Sequence, residues 1–559
     1  MRAPRAVFAA AFVCWISAAW LMPLVQDEAY YFAWAQHLAF GYFDHPPIVA
    51  LIGWAATFAH GSPLIARLGT LATAAMTFAA TARLFRILGL RTPTAQATAL
   101  LLAFGNIMGL ILGVITTPDT GLMLAWTIAL SEAALALQGA HRRWLSAGLA
   151  TGLGFLAKYM MVLIGPVFLW ALIAEARRVP RQAALRSPWP YLGALVALVV
   201  ILPHLAWNAD NDWITMRFQL RHGFISSHMN LPRSDVLPWP EQAKIGSREW
   251  ELAEVFKGPP EALKKPRVAT VFDPYLNALS RCLTFFGSQL AFWGALAGVI
   301  LQTWWERWRL RRRGASGTLA GPAQPMAIAP ALSSALTPAS RPLVVASVAV
   351  PLAFFAALSL ATGVEANWSA MYLFGAAALL APLLQRKGRA LWLAFAINAT
   401  LLALIICHAH TGLLPIHPKR DRILSESHGY KELGSYVARL KGPLFTDSYQ
   451  LTAMVRFYSD GRQVAQWPRM TRDSEFVRRP NPVFTTADLH AEAAFWLLTS
   501  SPPPHFIGFR AVDMTQLRDC KDAGLQVIST TAAREVYSPC SQPIHAWFLV
   551  RYETETSYE

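Results

Sequence analysis

Charged residues are scarce in this sequence: they make up 15% of its 559 residues, whereas 54% are hydrophobic. A soluble chain of this length is normally more charged and less apolar. The apolar residues come in blocks of about 20, the length at which a helix crosses the hydrocarbon core of a bilayer. The scarcity of charge therefore excludes an ordinary soluble protein and predicts a mainly α-helical, multi-span membrane protein.

Cysteine is scarce too, and none of the five cysteines stands at the Cys/His spacing of a metal site. Cys14, Cys282 and Cys407 fall in or beside apolar blocks, where inert thiols are expected. Cys520 and Cys540 lie in the polar C-terminal part. They are a candidate disulfide pair if that part faces an oxidising compartment.

A basic stripe interleaved with aromatic residues is missing, although the net charge is +16. The positive charge instead sits in short clusters between apolar blocks, as in the cytoplasmic loops of membrane proteins. Nucleic acid is therefore excluded as a partner. The first interruption, residues 26–62, has no Lys or Arg at all, which predicts that it lies on the outer face.

Eleven spans are predicted, and the charge bias places the N-terminus in the cytoplasm and the C-terminus outside. No small-x-small cleavage site follows the first span, so it is interpreted as an uncleaved helix rather than a signal peptide. The fifth and sixth spans are short, and a re-entrant hairpin is the alternative for them. The spans are 7–25, 63–86, 94–115, 120–138, 144–158, 160–176, 189–206, 281–302, 342–361, 369–385 and 390–408.

The chain divides into a membrane domain, 1–408, and a soluble outer domain, 409–559. Between spans lie the outer loop 26–62, the outer segment 207–280 with a Pro-, Lys- and Glu-rich middle at 229–270, and a cytoplasmic linker at 303–341. In the soluble domain, strand-like runs alternate with helical ones, which predicts a small α/β domain. The strand-like runs are 443–445, 495–498, 526–528 and 545–551, and the helical ones are 430–440, 451–458 and 515–523.

Asp27 stands where the first span leaves the membrane. The residues after it predict a helix that ends at Gly41, with Tyr31, Trp34 and Leu38 on one face. A helix with that face would lie along the membrane surface. Asp27 would then lie at the membrane boundary, where a lipid-linked headgroup sits. Aromatic residues in an outer loop can also form an aromatic belt that has no catalytic role. This interpretation is the alternative to catalysis at Asp27.

Two further charged residues lie on the same membrane face. Thr117 and Pro118 are suited to start a helix, which places Asp119 in its first turn. Helix capping alone would explain a single such acid. Lys158 falls at the apex of the short fifth and sixth spans, where a lysine either reaches for the interface or binds a partner such as phosphate.

Several motifs, taken together and in order, resemble the bacterial GT-C glycosyltransferases. The resemblance points to the branch related to aminoarabinose transferases of lipid A, lipid A core galacturonosyltransferases and protein O-mannosyltransferases. It covers residues 1 to about 460. The motifs are Asp27-Glu28-Ala29-Tyr30-Tyr31, Gly41-Tyr42-Phe43-Asp44-His45-Pro46-Pro47, Thr117-Pro118-Asp119, Gly152 to Tyr159, Pro203 to Asn208 with Phe218-Gln219, Glu365-Ala366-Asn367-Trp368, and Asp447-Ser448-Tyr449-Gln450 before Phe457-Tyr458.

The resemblance implies an inverting transfer of a sugar from a polyprenyl-phosphate donor to a lipid or glycan acceptor at the outer face of the bacterial inner membrane. Asp27 would be the general base, and Asp119 would orient a substrate or share that role. Lys158, or in second place Arg221, would stabilise the phosphate leaving group. Other residues expected to bind substrate are Glu28, Tyr30, Tyr31, His45, Tyr159 and Asn367.

A divalent cation is left open, because some relatives use one; Asp27, Asp119 and His45 are weak ligand candidates. The favoured acceptor is lipid A or lipopolysaccharide core, with a protein acceptor as the alternative. From another functional class, a lipid or sugar transporter would show inverted repeats and broken spans near mid-membrane, and neither is clear here. A scaffold that binds through its C-terminal domain would leave the outer acids unexplained.

Overall fold

The computed structural model describes residues 2–58, 61–180, 183–224, 236–237, 273–314, 336–417, 420–468, 470–478, 494–501, 503–506, 509–521, 523–529 and 543–554. Most of the segment 229–270, the middle of the cytoplasmic linker and Cys540 lie outside these residues. The predictions made for them are not addressed by the structure.

Long apolar helices form most of the chain up to residue 411. Their bounds are α1 Arg2–Leu21, α2 Gln26–Ala35, α3 Ile48–Ile52, α4 Pro63–Ala66, α5 Leu68–Ile87, α6 Pro93–Phe104, α7 Ile107–Leu112, α8 Pro118–Leu137, α9 Arg143–Ala157, α10 Ile164–Arg178, α11 Trp189–Asp210, α12 Ile214–Phe224, α13 Asp273–Trp293, α14 Ala295–Gly314, α15 Arg341–Ala361, α16 Tyr372–Leu384 and α17 Gly388–Thr411. Short 3₁₀ turns at Gly53–Phe58, Tyr159–Leu163, Ala184–Arg186, Ala366–Ser369 and Gln385–Lys387 connect some of them.

Seven of the described helical segments are long and apolar enough to cross a bilayer, and a bent pair adds an eighth if it forms one span. One of the seven runs over 40 residues, from Tyr372 to Thr411, where two spans were predicted. The mainly helical, polytopic architecture is thus confirmed, whereas the number of eleven spans stays a prediction.

The region of the span predicted at 281–302 is a sharply bent pair of helices. The helices α13 and α14 meet there at 96°. Gly294 lies between them with a φ of 54°, a left-handed conformation that favours glycine. A Cβ on Gly294 would lie 2.3 Å from Oδ1 of Asn398, the same oxygen that accepts the Ala295 N–H at 2.8 Å. Asn398 thus satisfies a backbone donor that the bend frees.

The soluble domain after residue 411 is a mixed sheet flanked by short helices, as predicted. Its helices are α18 Arg422–Ser427, α19 Tyr430–Val437, α20 Tyr449–Tyr458 and α21 Glu475–Arg478. Its strands are β2 Leu444–Thr446, β3 Ala465–Gln466, β4 Ala494–Thr499, β5 His505–Phe506, β6 Phe509–Cys520, β7 Gly524–Ser529 and β8 His545–Thr554, and β1 Val236–Leu237 from the outer segment pairs with β5. The order is β1-β5-β6-β8-β4-β2-β3, with β7 paired to β6.

One element of this domain was predicted wrongly. The run 515–523 was expected to be helical, but residues up to Cys520 belong to the long strand β6. Both edges of β6 are paired antiparallel, to β7 and to β8. Pairing on both sides overrides a weak local helical pattern, because strand preference depends on the neighbours a side chain packs against.

The first outer loop packs into the soluble domain. Helix α2 ends at Ala35, short of the predicted end at Gly41. Tyr31 and Trp34 are buried in the same apolar cluster as Tyr430 and Tyr449, whereas Leu38 is exposed and lies beyond the helix. The prediction that this face lies along the membrane surface is therefore wrong: protein, not headgroups, covers the aromatic rings.

Candidate active site

Asp27 and Glu28 are neighbours in sequence, but their side chains point in different directions: Asp27 is exposed and Glu28 is buried. Successive residues of a helix point about 100° apart, so only one of the two faces the protein interior. Glu28 is fully buried and forms an ion pair with Arg67, with Nε–Oε1 at 2.9 Å and Nη2–Oε2 at 2.5 Å. Its Oε1 also accepts the Thr116 N–H at 2.8 Å. The structure thus engages the Glu28 carboxylate in fixing the loop against the spans.

The Asp27 carboxylate is exposed to solvent, although protein surrounds it on most sides. The surrounding protein reduces the solvation of the carboxylate and raises the pKa of Asp27 to about 6, and the negative charges of Glu426 and Asp44 raise it further. The positive charges of Arg472 and Arg422 lower the pKa in part. A carboxylate that is accessible and has a pKa near neutrality is suited to accept a proton.

Asp119, Lys158 and Asn367 come together although they lie far apart in sequence. Both Asp119 oxygens accept hydrogen bonds from Lys158 Nζ, at 2.8 and 2.9 Å. Asn367 Nδ2 donates to Asp119 Oδ2 at 2.8 Å. Asp119 lies in the first turn of α8 and Lys158 at an extended residue after α9, as their sequence contexts predicted. All three are predicted site residues.

Tyr31 is close enough to both acids for their charges to act on its hydroxyl. Burial raises its pKa well above the usual value, and the charges of Asp27, Asp44 and Asp119 add to the effect. Its ring also contacts that of His45, with centroids 5.9 Å apart. Tyr30 is buried, and its hydroxyl accepts the Glu475 N–H at 2.7 Å. Asp27 and Asp119 therefore belong to one site lined by aromatic rings.

The remaining predicted residues lie at its edge. The Tyr159 hydroxyl is 2.6 Å from His204 Nε2, and His204 Nδ1 is 2.6 Å from the Phe40 carbonyl oxygen. These contacts connect α11 to the first loop. His45 Nδ1 lies 3.2 Å from Gln219 Nε2 on α12. Arg221 is exposed on the same helix.

Solved structures share this arrangement of spans and outer domain. ArnT from Cupriavidus metallidurans in the apo state matches with a TM-score of 0.55 and 11% identity over 97% of both chains. The same protein bound to undecaprenyl phosphate matches with a TM-score of 0.53 and 13% identity, again over 97% of both chains.

The chain therefore shares its overall fold with ArnT. A family model described as dolichyl-phosphate-mannose-protein mannosyltransferase matches residues 44–207. The lipid A galacturonosyltransferase RgtD of Rhizobium johnstonii is 33% identical over 203 residues, 34% of this chain and 40% of that protein. The lipopolysaccharide core galacturonosyltransferase RgtB of the same organism is 43% identical over 75 residues, 13% of this chain and 15% of that protein. The chain thus matches less than half the length of either relative.

The soluble domain gives the candidate site residues that were not predicted as site residues. Arg472 Nη1 is 2.8 Å from Asp44 Oδ1, and the guanidinium lies 3.9 Å from the centre of the Tyr449 ring. The Tyr449 hydroxyl in turn lies 3.4 Å from Asp27 Oδ1. Tyr449 and Asp44 belong to motifs that carry the family resemblance, and this membership was the only sequence feature that marked them as site residues. No local pattern distinguishes Arg472 from the other arginines of the tail.

The weak metal candidates do not form a ligand set in the described part of the chain. No group of three or more His, Cys, Asp or Glu residues there is arranged to hold a metal ion, so Asp27, Asp119 and His45 do not form one. Cys520 is disulfide-bonded. Its expected partner, Cys540, lies outside the described residues, so that pairing stays a prediction.

Proposed function

We propose that this protein is an inverting glycosyltransferase of the bacterial inner membrane. Its donor is a polyprenyl-phosphate sugar, and its acceptor is lipid A or lipopolysaccharide core at the outer face. The observation that carries the proposal is the accessible Asp27 carboxylate, with its raised pKa, together with a buried acid, Asp119, that is paired with Lys158. The similarity to two galacturonosyltransferases of lipid A and lipopolysaccharide core supports this acceptor class.

The proposed step moves one proton and one glycosyl group. Asp27 takes the proton of the acceptor hydroxyl while the hydroxyl oxygen attacks the anomeric carbon from the face opposite the phosphate. The bond between the anomeric carbon and the phosphate oxygen breaks, and polyprenyl phosphate leaves with the electron pair. A cation near that oxygen stabilises its developing charge, and Lys158 holds such a charge beside Asp119.

A protein acceptor is the second candidate, because the matching family model describes protein mannosyltransferases. The two acceptor classes separate in one assay. Membranes with the native protein are incubated with a polyprenyl-phosphate sugar, and both extracted envelope lipid and total protein are analysed by mass spectrometry. Sugar on the lipid fraction supports the first candidate, and sugar on protein alone supports the second.

Asp27→Asn tests the base. A general base contributes about 10²- to 10⁴-fold, so transfer should fall by that factor while the protein still folds. Asp210→Asn is the matched control, since Asp210 is an exposed acid at the end of α11. Full activity in Asp27→Asn would rule out its role as base. Absence of transfer by the native protein from every polyprenyl-phosphate sugar would overturn the function itself.

A further inference from the structure

Arg472 belongs to the soluble domain but lies against the first outer loop. Its guanidinium carbon lies over two aromatic rings, 3.9 Å from the centre of the Tyr449 ring and 4.9 Å from that of the Phe218 ring. Its Nη1 donates to Asp44 Oδ1 at 2.8 Å. Three parts of the chain thus meet at one side chain: the first loop, helix α12 and the soluble domain. The two ring contacts and the bond to Asp44 leave the planar group little freedom to move.

The backbone around Arg472 is fixed as well. The Arg472 carbonyl accepts a hydrogen bond from Gln466 Nε2 at 2.9 Å, and Thr471 Oγ1 donates to the Asp447 carbonyl at 2.6 Å. Gln466 ends β3, and Asp447 follows β2, which are parallel neighbours. Arg472 therefore lies at the carboxyl edge of the parallel strands, the edge at which α/β folds bind their ligands.

The charges around Asp27 are unbalanced without Arg472. Asp27 faces the carboxylates of Glu426 and Asp44, the guanidinium groups of Arg472 and Arg422, and the Tyr449 hydroxyl. Arg422 is largely exposed and shared between Glu365 and Glu426. Asp44 is buried, and its Oδ2 has no hydrogen-bond partner among the described residues. Arg472 is therefore the counter-charge of a buried acid, Asp44, whose negative charge acts on the proposed base.

We propose that Arg472 is a positioning residue of the active site, so that the soluble domain completes the site rather than merely covering it. Its guanidinium holds Asp44 and the Tyr449 ring beside Asp27 and offsets part of the negative charge there. The inference rests on the proposed role of Asp27 as base. It adds that the pH range in which Asp27 is ionised depends on a residue of another domain.

The pH profile of kcat/KM tests this role. The acid limb of this profile is its rise in activity as Asp27 ionises. Removing the positive charge in Arg472→Gln should move that limb to higher pH by about one unit, because loss of a nearby positive charge favours the protonated form of the Asp27 carboxyl. Arg472→Lys keeps the charge and should leave the limb in place, though with lower activity since lysine lacks the planar stack. Arg439→Gln, an exposed arginine on the same domain, is the control and should shift nothing.

Glu426→Gln provides a test of opposite sign. Glu426 is the charged neighbour that raises the Asp27 pKa most, so its loss should move the acid limb to lower pH. A protein that is simply damaged would lose activity at every pH without a shift in either direction. If Arg472→Gln folds and its limb stays where the native one is, the proposal is overturned.

A readout without turnover separates this proposal from the proposed function. Carbodiimide and an amine label protonated carboxyls, and peptide mass spectrometry measures labelling at Asp27 as a function of pH. The midpoint should rise in Arg472→Gln and fall in Glu426→Gln even if no glycosyl transfer is found. An unchanged midpoint in both variants would overturn the charge-balancing role while leaving the function open.

Discussion

At the scale of single residues, the pair formed by Asp119 and Lys158 has both a structural and a functional consequence. Both side chains are nearly buried. Lys158→Met leaves an unpaired carboxylate, which costs about 3–5 kcal/mol when a buried pair is broken. The double variant Asp119→Asn/Lys158→Met removes both charges and should recover most of that loss, as measured by thermal unfolding in detergent.

Activity separates the two consequences. If Lys158 stabilises the leaving phosphate, the double variant should unfold near the native temperature yet transfer sugar at a small fraction of the native rate. A double variant that is both stable and fully active would show that the pair only holds α8 and the end of α9 together. The exposed pair of Arg422 and Glu365 is a suitable comparison, since exposed pairs contribute about 1 kcal/mol or less.

Sequence alone indicated the members of this cluster but not their contacts. Asp119, Lys158 and Asn367 each stood in a local context that marked them, yet Asn367 is 248 residues from Asp119. Only the packing of helices brings them together. Glu28 shows the opposite case: its adjacency to Asp27 suggested a shared role, whereas helical rotation turns it towards Arg67. Arg472 could not be predicted, because its function depends on which surface the soluble domain presents to the first loop.

At the scale of elements, local sequence patterns predicted the helices and most of the strands. The exception is strand β6, where pairing with β7 and β8 overrides a local helical pattern. Strand β6 carries Asp519, whose buried carboxylate lies within 3.0 Å of Nδ1 of both His428 and His545. His545 Nε2 lies 2.9 Å from the Ser425 carbonyl oxygen. This cluster joins the segment between α18 and α19 to the sheet, in the same part of the domain that faces Asp27.

The stability of this junction should depend on pH. The hydrogen bond to Asp519 raises the pKa of His428. Protonated His428 therefore contributes fully to the folding stability below the unfolded pKa of 6.5, and this contribution is lost as the pH rises through the folded pKa. The two histidines lower the pKa of Asp519. The contribution of ionised Asp519 to the folding stability is therefore lost only as the pH falls through that lowered pKa. His428→Gln should lower stability by about 1–3 kcal/mol near pH 6 and much less at pH 8, followed by thermal unfolding. An equal loss at both pH values would contradict this.

At the scale of the whole molecule, a cluster of basic residues and the candidate site lie at opposite ends of the helices. Near the end of α8 opposite to Asp119, Glu132 pairs with Arg83 at 2.6 Å and with Arg143 at 3.1 Å. Helix α8 has 20 residues, about 30 Å, which matches the hydrocarbon core. The basic cluster and the candidate site therefore lie at opposite ends of a helix that is long enough to cross the membrane. Sequence could predict this separation, but not that the outer loop and the soluble domain share one apolar core.

The orientation itself is testable with paired reporters. Because short cytoplasmic loops collect Arg and Lys, the face with Arg83 and Arg143 should be inside, and the soluble domain outside. Alkaline phosphatase fused after Glu559 should be active, and a fluorescent protein at the same position should be dark. Fusions after Gly139, in the loop that precedes Arg143, should give the reverse. If the fusion after Glu559 reports the cytoplasm, then Asp27 cannot act at the outer face, and the donor and acceptor assigned to it would have to be sought on the other side.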